Sequence, residues 1–472
     1  MTASGIPLSR GIFCNRTLNL RSIKAIGFDM DYTLIHYRTR EWEGRAYEHA
    51  RRRLVQRGWP MEDLAFDPTM VTLGLVLDLE KGNILKTNRF GYVVRASHGT
   101  RMLGFDEQRE LYARVLVDLA EPRWAFLNTL FTLSEGCLYA QAVDLLDAGK
   151  VKEVVGYAGL YRIVRGSLDE SHLEGALKAE IIQDPDRFVE PDPEVALALM
   201  DLHAAGKKIL LITNSEWEYT RAMMSHGFDR FLPAGQTWRD LFDVVIVAAR
   251  KPSFFEQDAA VFEIVDEAGM LRPARAISPK GRFLGGNATL VERGLGLTGE
   301  EILYVGDHIF ADVHVSKDVL RWRTALVIRE LEQELEAIEA FAPKQALMTD
   351  LMKQKSRLEN EYSQIRLEQQ RFEQGYGAKP GGTPEDRREK MRALRATLVS
   401  LDEKIAPLAR ESGELMNTRW GLLMRAGPDK SNLARQIERY SDVYMSRVSN
   451  LLLATPFVYL RSPRLTLPHD PY

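Results

Sequence analysis

Four short apolar runs in this chain each stop on polar residues able to do chemistry: 23–28 before Asp29, 208–212 before Thr213, 243–249 before Lys251, and 301–305 before Asp307. A fifth run, 323–328, is not followed by a cluster of this kind. Segments this short, apolar throughout and rich in β-branched residues, read as central strands of a parallel sheet covered by helices on both faces. Ligands bind such open α/β sheets beyond the carboxyl ends of the strands. The four polar clusters therefore stand where one site can gather them.

The spacing of the runs sets the domain organisation. Residues 29–207 separate the first run from the second, far more chain than a crossover helix needs. The sequence predicts a discontinuous catalytic core, 1–36 plus 191–330, and an inserted α-rich cap over 37–190 that sets substrate specificity. Helical patterns fall at 47–57, 106–119 and 138–148, and a strand- or hairpin-like patch at 83–95; Pro191 and Pro193 mark the return to the core. Beyond, Leu351, Leu358, Ile365 and Phe372 recur at seven, as do Met391, Leu398 and Ile405, interleaved with Leu394, Leu401 and Leu408. That spacing predicts a coiled-coil-like helical hairpin over 331–425, broken by GYGAKPGG at 375–382. The tail, 426–472, regains apolar and aromatic residues and is expected to pack back on the core.

Composition narrows the partners. With 63 basic and 66 acidic residues among 472, the net charge of -3 gives no electrostatic reason to expect nucleic acid or an anionic membrane. The two cysteines, Cys14 and Cys137, lack metal-ligand spacing and suit a reducing compartment. No secretory signal pattern opens the chain, and no run approaches the ~18 apolar residues of a membrane span. A cytoplasmic location is expected.

The chemistry starts at Asp29-Met-Asp31-Tyr-Thr, just past a strand-like run. Two carboxylates so placed can divide the labour of phosphoryl transfer: one attacks phosphorus, the other protonates the leaving oxygen and then activates water. Their negative charge would repel a phosphate dianion unless a cation and neutral donors offset it. Thr213, Asn214 and Ser215 offer such donors, Lys251 a point charge, and Asp307 and Asp312 hard oxygen ligands for Mg²⁺. Taken singly, each is a common turn, cap or solvated residue; the ordered set at four strand ends points to one site.

These motifs resemble those of haloacid dehalogenase superfamily hydrolases, D-x-D-x-T/V, T/S, K and G-D…D, here FDMDYTL, LLITNS, ARKP and YVGDHIFAD. The wording is similar to cytosolic purine 5′-nucleotidases and their bacterial relatives, including FLNTLFTL at 126–133, GSL at 166–168 and SNLLLATPFVYLRSPRLTLPHD at the end. The resemblance implies a Rossmann-like core with an inserted cap. It implies Asp29 as nucleophile, Asp31 as general acid/base, Thr213 and Asn214 on the phosphate, and Lys251 on both nucleophile and phosphoryl group. Mg²⁺ would be held by Asp29, the carbonyl of Asp31 and Asp307, with Asp312 in support. Phe131 matches the position that stacks on the base, and its residue type equally suits a core. Phe310 matches a nucleotide effector site, and equally suits packing beneath the metal loop. The resemblance further implies a homo-oligomer and transfer of the phosphoryl group to a second nucleoside. Three positions depart from the purine pattern: Asp169 replaces a basic residue after GSL, with Arg165 nearby, and Gly156 and Leu160 replace the base-reading pair.

The expected function is Mg²⁺-dependent hydrolysis of nucleoside 5′-monophosphates. A phosphatase for another small phosphomonoester, and a nucleotide-binding scaffold working through the hairpin, are the alternatives. Gly294-Leu-Gly296-Leu-Thr-Gly299 matches G-x-G-x-x-G but precedes a strand, so it is no dinucleotide site. The nine histidines show no metal-ligand spacing, and His308 beside Asp307 is expected to be a neutral bystander. His36 and Tyr37 suit either the cleft or packing at the insertion junction.

Overall fold

The apolar runs pair as their pattern requires, in a computed structural model that describes residues 6–173 and 175–463. Ala25–Phe28 is central, bonded in parallel to Lys208–Ile212 on one side and Ile302–Gly306 on the other. The sheet has ten strands. From Val443–Met445 through Arg323–Val327, Ile302–Gly306, Ala25–Phe28, Lys208–Ile212 and Val244–Val247 to Gly281–Gly285 it is parallel throughout. Antiparallel strands finish both edges: Ile12–Cys14 on one, Val261–Ile264 and Leu271–Ala274 on the other. Every residue of Ala25–Phe28, Val244–Val247 and Ile302–Gly306 is buried, as strands covered on both faces must be. The architecture is α/β.

Register brings the polar ends level. Phe28 lies beside both Leu211 and Val305, so Asp29 emerges next to Thr213 and Asp307. Chain order reverses direction across this strand, which makes its end a switch point where a crevice opens. Gly27 is required here. A Cβ on it would stand 2.9 Å from the Tyr304 ring, which crosses the neighbouring strand toward the site.

The chain leaves and rejoins this sheet through a two-stranded ribbon, Tyr37 opposite Val189 and His36 opposite Glu190. Between them lie the helices Thr39–Gln56, Leu133–Asp147, Gly156–Leu173 and Ala176–Gln183. They accompany a five-stranded antiparallel sheet ordered Arg101–Met102, Val93–His98, Asn83–Thr87, Val76–Asp78, Trp124–Phe126. The sequence disclosed one hairpin-like patch of that sheet. The helix expected over 106–119 is shorter, Phe105–Tyr112. Val115, Val117 and Leu119 instead leave the helix and pack on the sheet's apolar face.

The chain divides into two compact units, Met1–Glu332 with Leu423–Tyr472, and Gln333–Leu422. The second unit is dominated by two long helices, Leu331–Glu373 and Pro384–Glu414. Ion pairs Lys344–Glu411, Lys355–Asp402 and Lys390–Glu361 link them in antiparallel order. Leu394, Leu401 and Ile405 of the heptad seam are buried. Among the described residues no helix is long and apolar enough to cross a membrane.

Candidate active site

Lys251 is the hub. Its ammonium lies 2.8 Å from Asp29 Oδ1 and 2.7 Å from Asp312 Oδ1. It also donates to the Tyr304 hydroxyl at 3.0 Å, and that hydroxyl donates to the Ile212 carbonyl at 2.9 Å. All three of the lysine's donors are thus used inside the protein. Its side chain is 2% exposed. Burial works against its charge, but Asp29 and Asp312 outweigh burial and hold it protonated. Asn214 fixes the backbone beneath: its amide accepts from Lys251 N at 2.6 Å and donates to Lys251 O at 3.1 Å.

Asp29 keeps its carboxylate at the strand end by accepting from Met30 N at 2.8 Å, while its own N–H donates to Val305 O. Carboxylate oxygens of Asp29, Asp307 and Asp312 all lie within 4.8 Å of one another. Burial first, then Asp312, pushes the Asp29 carboxyl up to about 6 although Lys251 pulls the other way. Burial, Asp312 and Asp29 raise Asp307 well above the usual carboxylate range. One ammonium among three crowded carboxylates leaves excess negative charge, and hard oxygen donors at this spacing suit a hard divalent cation. The donor set fits Mg²⁺.

The Asp312 carboxylate owes its place to Gly306. A Cβ there would stand 2.4 Å from Asp312 Oδ2, so only glycine lets Asp312 fold back against the strand. Asp312 then accepts from His308 N at 3.1 Å, across the wide helical turn Ile309–His314. His308 turns Nδ1 to accept from Ala311 N, and burial, with Lys251 next, lowers its imidazole to about 4. It is neutral, and it caps the turn.

Asp31 is held apart from that cluster. Its Oδ1 accepts from the Tyr37 hydroxyl at 2.5 Å and its Oδ2 from Ser215 at 2.6 Å. Tyr219 donates to Tyr37 in turn, at 3.0 Å. Burial, then the charge of Asp29, raises the Asp31 carboxyl, so it keeps a proton more readily than a free aspartate. Two neighbouring carboxylates with different surroundings can take different roles. Thr213 Oγ1 accepts from Ser215 N, which leaves its hydroxyl hydrogen to donate; that hydrogen and the Asn214 N–H have no acceptor among the described residues.

The structure thus gathers Asp29, Asp31, Thr213, Asn214, Ser215, Lys251, Asp307 and Asp312 at one edge of the sheet. Phe131 stands beside the same loop, edge-on to Tyr32 at 4.7 Å and Trp42 at 4.8 Å between centroids. Phe310 meets Phe126, His314 and Tyr440 in an aromatic group. Of the junction pair, Tyr37 faces the site, whereas His36 is buried, where burial and Arg329 lower it to about 3. Leu160 is fully buried and Gly156 exposed, and Asp169 pairs loosely with Arg165 at 3.8 Å. Residue types and spacing missed Tyr304, Tyr219 and Thr129, whose hydroxyl donates to Asp307 Oδ2 at 3.3 Å. Tyr304 opens YVGDHIFAD and Thr129 lies within FLNTLFTL, but residue type alone does not disclose which neighbour a ring or hydroxyl will reach.

Fold and site together define an α/β protein with an acid-rich, cation-demanding centre at the carboxyl edge of its sheet. A family model described as the 5′ nucleotidase family matches residues 12–472, and the chain belongs to that family. Its class is that of the nucleotidase hydrolases. A 5′-nucleotidase domain-containing protein of Dictyostelium discoideum is 24% identical, over 97% of this chain and 74% of the relative. The 5′-nucleotidase domain-containing protein 2 of Homo sapiens is 27% identical, over 93% and 81%. A solved haloacid dehalogenase-like family hydrolase from Xanthomonas campestris matches at 14% identity, over 65% of this chain and 82% of that one, with a TM-score of 0.25.

Proposed function

We propose that this chain is a Mg²⁺-dependent phosphomonoesterase that hydrolyses nucleoside 5′-monophosphates through a phosphoryl group carried on Asp29. One observation carries the reading: a buried lysine bridges Asp29 and Asp312 beside Asp307, while Asp31 is held apart by two hydroxyls. Asp29, Asp307 and Asp312, with the main-chain carbonyl of Asp31, would hold Mg²⁺, which neutralises phosphate charge. Thr213 Oγ and the Asn214 N–H donate to phosphate oxygens, and Lys251 keeps Asp29 ionised and aimed. A carboxylate oxygen of Asp29 forms the bond to phosphorus as the ester P–O bond breaks. The proton on Asp31 passes to the leaving 5′ oxygen. Asp31, now a carboxylate, takes a proton from water, whose oxygen attacks the acyl phosphate. The P–O bond to Asp29 breaks, and inorganic phosphate leaves with both carboxyls restored. A nucleoside 5′ hydroxyl in place of that water would give phosphotransfer.

Phe131, beside Tyr32, is the ring we assign to stacking on the base. Gly156 has no side chain and Leu160 is buried, so neither offers a group to read a base edge. Purine selectivity, implied by resemblance, draws no support from these two positions, and tolerance of several bases is the reading we favour. Phe310 is the residue we assign to a nucleotide effector site. We place the protein in the cytoplasm and as a homo-oligomer assembled through the hairpin. Phosphate release from a panel of nucleoside 5′-monophosphates with Mg²⁺ tests the function. Release from at least one, lost on chelation, is expected; preference for a non-nucleotide ester over every nucleotide contradicts it.

A further inference from the structure

Cations near the centre are mostly committed to carboxylates. Lys251 bridges Asp29 and Asp312. Arg165 pairs with the buried Glu135 at 3.4 Å and donates to Tyr161 at 3.2 Å. Lys178 differs. It is half-buried, and among the described residues no carboxylate comes within ion-pair distance of its ammonium. Its one close partner is the face of Tyr219, whose ring centroid lies 5.1 Å away. A ring face attracts an ammonium only weakly and satisfies none of its three N–H donors as an oxygen would.

Position gives this lysine a meaning. It stands on Ala176–Gln183 of the inserted segment, a helix packed against Trp217–Phe228, which begins just after Ser215. Tyr219 beneath it donates to Tyr37, and Tyr37 donates to Asp31. Asp31 is the group that would hand a proton to the leaving oxygen, so Tyr219 and Tyr37 connect Lys178 to the carboxyl beside which the leaving group would stand.

Resting on the nucleotidase reading, we propose that Lys178 is a specificity-determining residue whose ammonium donates to acceptor atoms of the leaving nucleoside. Ammonium groups donate and cannot accept, so the fit is to ribose oxygens and to base carbonyls or ring nitrogens. An ester whose leaving group lacks such acceptors gains nothing from it.

Steady-state kinetics of Lys178→Ala and Lys178→Arg, on the best nucleoside monophosphate and on phenyl phosphate, whose leaving group carries no acceptor beyond the ester oxygen, test this. Lys178→Ala should raise KM for the nucleotide about tenfold and leave kcat/KM for the aryl ester within about twofold; Lys178→Arg, which keeps charge and donors, should recover most of the loss. Equal losses on both esters would mean that the lysine acts on the centre itself, and no change on the nucleotide would mean that it touches nothing; either overturns the proposal. Should the alanine variant melt early, Lys178→Gln supplies the same comparison in a side chain of similar reach. Failure of the nucleotidase reading shows separately, in the parent protein, as no release from any nucleotide, and the inference falls with it.

Discussion

Tyr304 shows how much a single hydroxyl can organise. It accepts from Lys251 and donates to Ile212 O, and it reaches them only because Gly27 leaves room for its ring. Tyr304→Phe strands a buried lysine proton and a buried carbonyl. We expect a loss of about 1–3 kcal/mol in stability, read as a lower urea midpoint with unchanged slope. An unshifted midpoint would mean that neither bond matters to the fold. Gly306→Ala acts on the chemistry instead. The added Cβ collides with Asp312, and displacement of that carboxylate by about 1 Å would loosen Lys251 and cut turnover on the order of a hundredfold. Steady-state kinetics on folded Gly306→Ala decide it; activity close to the parent's would show that Asp312 need not sit against the strand.

Among the elements, strands carrying the site were legible and the aromatic relay behind it was not. Runs such as ILLI and VVIV announce strands because both their faces are apolar, and their ends carry the reactive residues in register. The sheet of the inserted segment stayed hidden except at 83–95. Its strands Val76–Asp78 and Trp124–Phe126 are three residues each and far apart in sequence, so no local alternation discloses their pairing. Asp31's partner Tyr37 was a candidate for the cleft on proximity alone, whereas Tyr219 depends on a helix that follows a distant strand. The long helices of 333–422 were readable from their heptads, since a seam of Leu and Ile at that period needs a facing helix. That segment is a unit of its own. Replacing it with a Gly/Ser linker should leave phosphate release within about twofold of the parent. A change in oligomeric state with activity intact would assign the hairpin to assembly; loss of activity in a folded remainder would contradict an accessory role.

For the molecule as a whole, one buried carboxyl sets a pH dependence that can be isolated. Glu43 is fully buried and accepts from Ser134 N, while among the described residues its Oε1 has no hydrogen-bond partner. Burial pushes its carboxyl up to about 8. The unfolded chain releases that proton near the ordinary value of about 4.3, so between there and about 8 it binds fewer protons than the folded chain. The stabilising contribution is therefore complete below the unfolded value and is lost as pH rises toward 8. Glu43→Gln removes this slope. Relative to the parent, it should gain stability on the order of a few kcal/mol between pH 5 and 8, measured by denaturant unfolding at each pH. Parallel curves for the two proteins would show that Glu43 is already ionised in the fold.

In the proposed mechanism Asp29 carries the phosphoryl group. Mixing excess protein with a nucleoside 5′-monophosphate and Mg²⁺, quenching in acid within one turnover and mapping peptides by mass tests it most directly. The mass of one phosphoryl group is expected on the peptide holding Asp29, absent in Asp29→Asn, which should also release no phosphate. Phosphate release by Asp29→Asn at the parent's rate, or a phosphoryl group on any other residue, would contradict it.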